Sequence, residues 1–224
     1  NQLGVGDEMA GGKVLKKNNK VCAVFSGEGG TSEGDFHEAL NIASVWNLPV
    51  LFCIENNGYG LSTPTNEQYN CTHIADRGSG YGMESHIVDG NNIIEVYLKV
   101  KEILSRIRKD PKPVLIEFKT FRVRGHEEAS GTKYISKKLI DFWKSKDPIL
   151  TFEKFLEEKG ILTPALKRAY TDAIQLEITE HLKLSFDEES IIPNLDHEIN
   201  DVFKPCSFIH IPPSNETKKI RFID

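Results

Sequence analysis

A chain of 224 residues can bury one substantial core with an appended helical segment, and 39% hydrophobic with 27% charged residues is ordinary globular composition. A net charge of -5 argues against nucleic acid or an anionic membrane as the main partner. No apolar run approaches the roughly 18–20 residues of a membrane span, and none reads as a signal peptide. The cysteines Cys22, Cys53, Cys71 and Cys206 show no C-x-x-C spacing, so zinc is not suggested, and free thiols in apolar runs fit a reducing, cytoplasmic compartment.

The chain opens at Asn1-Gln2 without methionine, which is expected of a segment of something longer. Four short apolar runs then read as strands: Val21 to Gly27, Leu48 to Glu55, Ser85 to Gly90 and Pro113 to Val123. The first two are apolar at nearly every position, as strands covered on both faces must be. Between them Ser32 is a candidate helix cap with Asp35 three residues on, and Phe36, Ala39, Leu40 and Ala43 form the buried stripe. A second helix follows "DGNN", with Ile93, Val96, Tyr97, Val100, Ile103, Leu104 and Ile107 at helical spacing. Strand, helix, strand, repeated, predicts an α/β fold: a parallel sheet with helices on both faces. From about Ser136 the pattern turns helical, with Leu139, Ile140 and Trp143 in one helix and Phe152, Phe155 and Leu156 in the next. A third begins at Thr163-Pro164, a cap followed by proline at the first helical position.

The stretch that carries chemistry is "FSGEGGTSEGDF", Phe25 to Phe36. Glycine turns between a strand and a helix suit phosphate, and here one holds an anion, Glu28. In a dinucleotide-binding reading, Gly27 and Gly29 start the fingerprint and Glu55 ends the next strand as a ribose-binding acid, but Ser32 occupies the third glycine position. A bare carboxylate about 5 Å from a diphosphate charge costs roughly 3 kcal/mol per charge pair at an effective dielectric near 20. A divalent cation between the two reverses the sign. Glu28 therefore reads as a metal ligand, with a plain helix-capping turn as the alternative. The neighbouring strand ends in "ENNGYG", where Asn57 offers an amide oxygen and the flanking glycines free the backbone to turn the Tyr59 carbonyl inward.

G-[DE]-G followed about 30 residues later by Asn-Asn resembles the thiamine-diphosphate motif. The string "GEGGTSEGDFHEALNIASVWNLPVLFCIENNGYGLSTP" is similar to the alpha part of the decarboxylating component of 2-oxo acid dehydrogenases, a family that includes the pyruvate, branched-chain and acetoin enzymes. The resemblance runs from about Leu3 to Ile149. It implies the thiamine-diphosphate-binding fold, with Glu28, Asn57 and the Tyr59 carbonyl on Mg²⁺ and with Gly29 and Gly30 offering backbone contacts to the diphosphate. "FRVRGHEEASGTKY" resembles the family's Gly-His active-site loop, in which His126 contacts cofactor phosphate near the reacting centre. Glu127 through Gly131 replace the serine- and aspartate-rich run of kinase-regulated members, which argues against control by phosphorylation. Glu55 stands where some members place an arginine on the diphosphate.

The implied reaction is decarboxylation of a 2-oxo acid with transfer of the acyl group to a lipoyl group of a partner acyltransferase. A beta part supplies the glutamate that activates the cofactor, so this chain holds half a site, and a dimer of alpha/beta units is expected. The implied organisation is a diphosphate- and Mg-binding domain over residues 1–149, a helical tail over 150–203, and a linker over 204–224. There "KKIRFID" resembles the start of a fused beta part. Two other readings stand beside this one: a catalytically silent assembly module, and a dinucleotide-binding protein. Among the remaining residues, His37 reads as a polar helix residue near the site, His73 and His86 as structural, and Asp76 with Arg77 as a local pair on a solvent face. Tyr81, in "RGSGYGM", lines either the pocket or a subunit interface. Glu127 and Glu128 are general acid or base candidates, or simply solvated acids.

Overall fold

The computed structural model describes residues 2–16, 18–127, 129 and 131–202. The chain divides into two compact units, residues 1–164 and 165–224.

The first unit is built on a parallel sheet of β1 (Cys22–Gly27), β2 (Val50–Asn56), β5 (Glu84–Asp89) and β6 (Val114–Lys119), in the order β1-β2-β6-β5. Helix α1 (Gln2–Leu15) leads into β1, α2 (Gly34–Val45) connects β1 to β2, and α3 (Ile93–Ile107) connects β5 to β6. The two faces of the sheet carry separate cores. On one, Val24, Val50, Phe52, Ile54 and Leu115 pack with Phe36, Ala39, Leu40 and Ala43 of α2, the stripe expected from its spacing. On the other, Leu51, Cys53, Val114, Ile116 and Phe118 pack with Ile103 and Ile107 of α3. The α/β architecture read from the alternation of strands and helices is the one observed.

Several local expectations change. Only β2 and β6 are covered on both faces; β1 is an edge strand whose residues alternate, with Phe25 54% exposed. The cause is the placement of α3, which leaves an open apolar groove of about 500 Å³ between itself and β1, lined by Ala23, Phe25, Ile93 and Tyr97 among others. The Ser32 capping box does not form. Gly29–Ser32 is instead a 3-10 turn, and α2 starts at Gly34 after Glu33, which makes no side-chain cap. β6 ends at Lys119, four residues short of the predicted run. The cap of α3 is Asn92, whose side chain accepts from Glu95 N–H.

Helix α1 has no counterpart among the predicted elements. Its buried residues are Leu3, Gly6, Asp7 and Ala10. Gly6 lets the helix approach β1 closely, since a Cβ there would lie 3.1 Å from Val24 Cβ. Asp7 is 5% exposed, neither carboxyl oxygen has a hydrogen-bond partner, and burial pushes its pKa up to about 7.

Beyond β6 lie α4 (Lys137–Lys144), capped by Ser136, and α5 (Pro148–Glu158), capped by Asp147 with proline in its first turn. Asp147-Pro148, expected to stop one helix, thus also starts the next. Helix α6 (Pro164–Asp187) begins at the predicted proline, and α7 (Leu195–Asp201) follows in the second unit; neither has a buried residue. The readings of Cys206, of the linker and of "KKIRFID" as the start of a beta part lie outside the described residues, as does that of Glu128.

Candidate functional site

Because the strands are parallel, their carboxyl ends emerge together, and register brings Gly27 beside Glu55 and Asn56 beside Lys119. After Gly27 the chain tightens into the 3-10 turn. There Thr31 donates both its N–H and its hydroxyl to the Glu28 carbonyl, at 3.1 and 2.7 Å. This turns the Glu28 side chain inward, where it is 1% exposed and accepts the Asn57 N–H at 2.9 Å. Glu28 and Asn57, 29 residues apart in sequence, are thus in direct contact, as the parallel-strand argument requires.

The second turn, Asn56 to Gly60, leads into a two-residue hairpin of β3 (Tyr59–Gly60) and β4 (Thr63–Pro64). Gly58 has φ +89, a conformation glycine adopts freely. Pro64 faces Tyr59 across the hairpin and has no N–H to donate to the Tyr59 carbonyl. Gly29 allows the two turns to touch, since a Cβ there would lie 3.2 Å from Gly60 Cα. Gly30 packs more closely still on Ser26, with 2.5 Å between its notional Cβ and Ser26 Oγ.

The decisive atom is Asn57 Oδ1, which is buried and has no hydrogen-bond partner. A buried amide oxygen without a donor costs about 1–3 kcal/mol, so its isolation beside a buried carboxylate marks a place where a cation would be favoured. The available donors are a carboxylate, an amide oxygen and a backbone carbonyl. That all-oxygen set fits a hard cation such as Mg²⁺, which takes few protein ligands and completes its shell with phosphate and water. No group of three or more His, Cys, Asp or Glu residues suited to a metal occurs among the described residues.

A cavity of about 600 Å³ opens beside this turn, lined among others by Asn57, Tyr59, Thr65, Lys119, Phe121 and Trp143. Aromatic packing shapes the wall: Tyr59 meets Phe121 and Tyr134 edge-on, and Phe121 stacks on Trp143 with centroids 5.5 Å apart. His126 does not line this cavity. It is exposed on the following loop, where Arg122 reaches its Nδ1 at 3.3 Å. Arg122 also donates to the Leu61 carbonyl and to Tyr134 Oη, so it ties the His126 loop to the β3–β4 hairpin. With Nδ1 accepting, the proton of neutral His126 sits on Nε2, facing away from Arg122.

Several contacts were not legible in sequence. Arg77 is not a surface partner of Asp76. It donates to the Thr31 carbonyl at 2.5 Å and lies over the rings of Phe36 and Tyr69, clamping the 3-10 run Ile74–Tyr81 onto the Glu28 turn. Asp76 instead accepts the His73 N–H at 2.9 Å. Glu117, wholly buried in β6, accepts from Asn56, Lys119 and the Ala75 N–H. A charge in the middle of the apolar run "PVLIEF" was its one signal. Burial pushes the Tyr69 phenol up, which keeps it a neutral partner for Asn56 at 3.1 Å. His37 and Tyr81 pair at 2.6 Å through Nδ1 and the hydroxyl. Glu55 is exposed at the end of β2. Burial pushes the Cys53 thiol up to about 12, so it is an inert hydrophobe, while Cys22 and Cys71 are part-buried free thiols.

The sequence matches the family described as dehydrogenase E1 component over residues 2–193. It is 38% identical to the 2-oxoisovalerate dehydrogenase subunit alpha of Bacillus subtilis, across 75% of this chain and 51% of that one. It is 38% identical to the mitochondrial 2-oxoisovalerate dehydrogenase subunit alpha 2 of Arabidopsis thaliana, across 90% of this chain and 42% of that one. It is also 28% identical to the pyruvate dehydrogenase E1 component subunit alpha of Rickettsia bellii, across 90% and 61% respectively. The chain thus spans about half the length of the curated relatives it matches.

Proposed function

The chain belongs to the dehydrogenase E1 component family, and from that premise we propose that it is the diphosphate-binding half of a thiamine-diphosphate- and Mg²⁺-dependent 2-oxo acid dehydrogenase. Glu28, Asn57 Oδ1 and the Tyr59 carbonyl hold the cation, which in turn neutralises the diphosphate that Glu28 alone would repel. Gly29 and Gly30 present backbone to the phosphates. His126 donates from Nε2 to a phosphate oxygen, with Arg122 fixing its tautomer through Nδ1. When bound, the cofactor supplies the electron sink for decarboxylation. The substrate is a 2-oxo acid of the pyruvate or branched-chain type, and the acyl product passes to a lipoyl group on a partner acyltransferase. A beta part contributes the glutamate that activates the cofactor and completes the site, in an assembly of alpha/beta units. In support of the partner, the relatives are named as alpha subunits. No described helix is long and apolar enough to cross a membrane.

The observation that carries this reading is the buried, unpartnered Asn57 Oδ1 beside the buried Glu28 carboxylate. The test is calorimetric titration of the intact protein with thiamine diphosphate, with Mg²⁺ and after exhaustive chelation. Binding that appears only with the cation is expected. Tight binding that survives chelation refutes the metal role of Glu28, and no binding in either condition favours a silent assembly module.

A further inference from the structure

The candidate cation ligands sit on two turns from different strands, and something must hold both turns in register. Beyond the direct Glu28–Asn57 contact, Glu117 is a buried group connected to each. Through Oε1 it accepts Asn56 Nδ2 at 2.6 Å, and Asn56 Oδ1 accepts the Gly58 N–H at 3.2 Å. These two bonds bracket Asn57 and fix the start of the turn that presents Asn57 Oδ1 and the Tyr59 carbonyl. Through Oε2 it accepts the Ala75 N–H at 3.0 Å, at the start of the 3-10 run Ile74–Tyr81. Two residues on, Arg77 of that run grips the Thr31 carbonyl in the Glu28 turn. Lys119 Nζ, 2.5 Å from Oε1, balances the charge.

We propose that Glu117 is a positioning residue for the cation site: one interior carboxylate that orients the Asn57 turn through Asn56 and the Glu28 turn through Ala75 and Arg77. This rests on the functional reading above and extends it to a residue that touches neither metal nor cofactor. Its chemistry explains why a carboxylate is needed. Three donors converge on it, two on Oε1 and one on Oε2, and a carboxylate accepts from both oxygens. A glutamine has one acceptor oxygen, so its amide N–H₂ must face either Ala75 N–H or the pair Asn56 and Lys119. Either choice puts donor against donor at a wholly buried side chain, and one of the two turns loses its anchor. An ordinary core side chain at this position would leave Asn56 and Ala75 with unpaired buried donors.

The test is the Mg²⁺ concentration that half-saturates thiamine diphosphate binding, measured by calorimetry on the intact protein below the unfolding temperature of each variant. Groups that orient metal ligands typically change metal affinity about 10- to 100-fold when lost, and Glu117→Gln is expected to raise half-saturation within that range. Asn56→Ala cuts only the link to the Asn57 turn and is expected to do the same, which keeps the test decisive if Glu117→Gln fails to fold. Ile103→Ala, in the α3 core, is the comparison for plain destabilisation. It should lower the thermal midpoint and leave half-saturation unchanged. A folded Glu117→Gln or Asn56→Ala protein with wild-type half-saturation overturns the positioning role while leaving the functional reading intact. A wild-type protein that takes up no cofactor with Mg²⁺ overturns both.

Discussion

Glu117 in β6 and Asp7 in α1 are both buried acids, yet Glu117 accepts three hydrogen bonds and Asp7 accepts none. The first lies where strand ends, turns and a 3-10 run converge, so backbone and side-chain donors surround it. The second lies on the flank of a helix packed against an edge strand, where the helix has already used its own N–H groups and the strand offers apolar side chains. The cost of a buried carboxylate is set by the donors that tertiary packing brings to it, not by depth alone. Glu28 belongs with Glu117, since it too meets a backbone N–H, and the isolated oxygen beside it is that of Asn57.

The contrast can be broken most sharply at Glu28. Glu28→Gln keeps the shape and still accepts the Asn57 N–H, but removes the charge that a cation needs. If Glu28 is the ligand proposed above, this should weaken Mg²⁺-dependent cofactor binding by about 100-fold or more, roughly 3 kcal/mol, with the circular dichroism spectrum unchanged. Equal affinity in the calorimeter would remove Glu28 from the site.

Asp7 tests the other side. Its folded pKa, about 7, lies above the ordinary 3.8, so the native state binds a proton that the unfolded state has already released between those values. Stability therefore falls as pH rises from about 4 to 7, and the full penalty is present above 7. Asp7→Ala should stabilise the protein at pH 8 by about 1–3 kcal/mol, have little effect below pH 4, and flatten the pH dependence of the thermal midpoint in between. A wild-type midpoint that holds steady from pH 5 to 8 would show that Asp7 has found a donor.

The smallest effect is expected at Arg122, whose contacts lie on an exposed loop. Arg122→Gln should cost under about 1 kcal/mol of stability, as surface hydrogen bonds do. It should nevertheless speed proteolytic cleavage within residues 121–134, because the ties to Leu61 and Tyr134 are lost. An unchanged cleavage rate would mean that aromatic packing alone holds the loop.

Much of the fold was legible because its signals are local. Apolar runs and helical spacing located the four sheet strands, α2 with its buried stripe, and α3; a proline marked the start of α6. What failed were features whose outcome depends on neighbours. Helix α1 is glycine-rich and carries a buried acid, so its pattern is weak until β1 is there to pack on. β1 reads as doubly covered because Phe25 is apolar, and it is exposed because α3 lies over the other strands. Ser32 has the chemistry of a cap but is held in a 3-10 turn by Thr31 and the Glu28 carbonyl.

The same division runs through the site. From the sequence by itself came the expectation that an acid in a phosphate-type turn calls for a cation, and that the "ENNGYG" turn would stand beside it, because parallel strands end side by side; the contact between the two turns is the part observed. Family membership follows from the residues alone in the same way. Tertiary structure decided the rest: that Asn57 keeps an unpaired buried oxygen, that Arg77 clamps the Glu28 turn instead of pairing with Asp76, and that Glu117 anchors both turns from behind. Periodicity and turn chemistry act over a few residues and can be read in order. Hydrogen bonds between residues 42 to 61 apart in sequence, such as those of Glu117, exist only once the sheet has set its register.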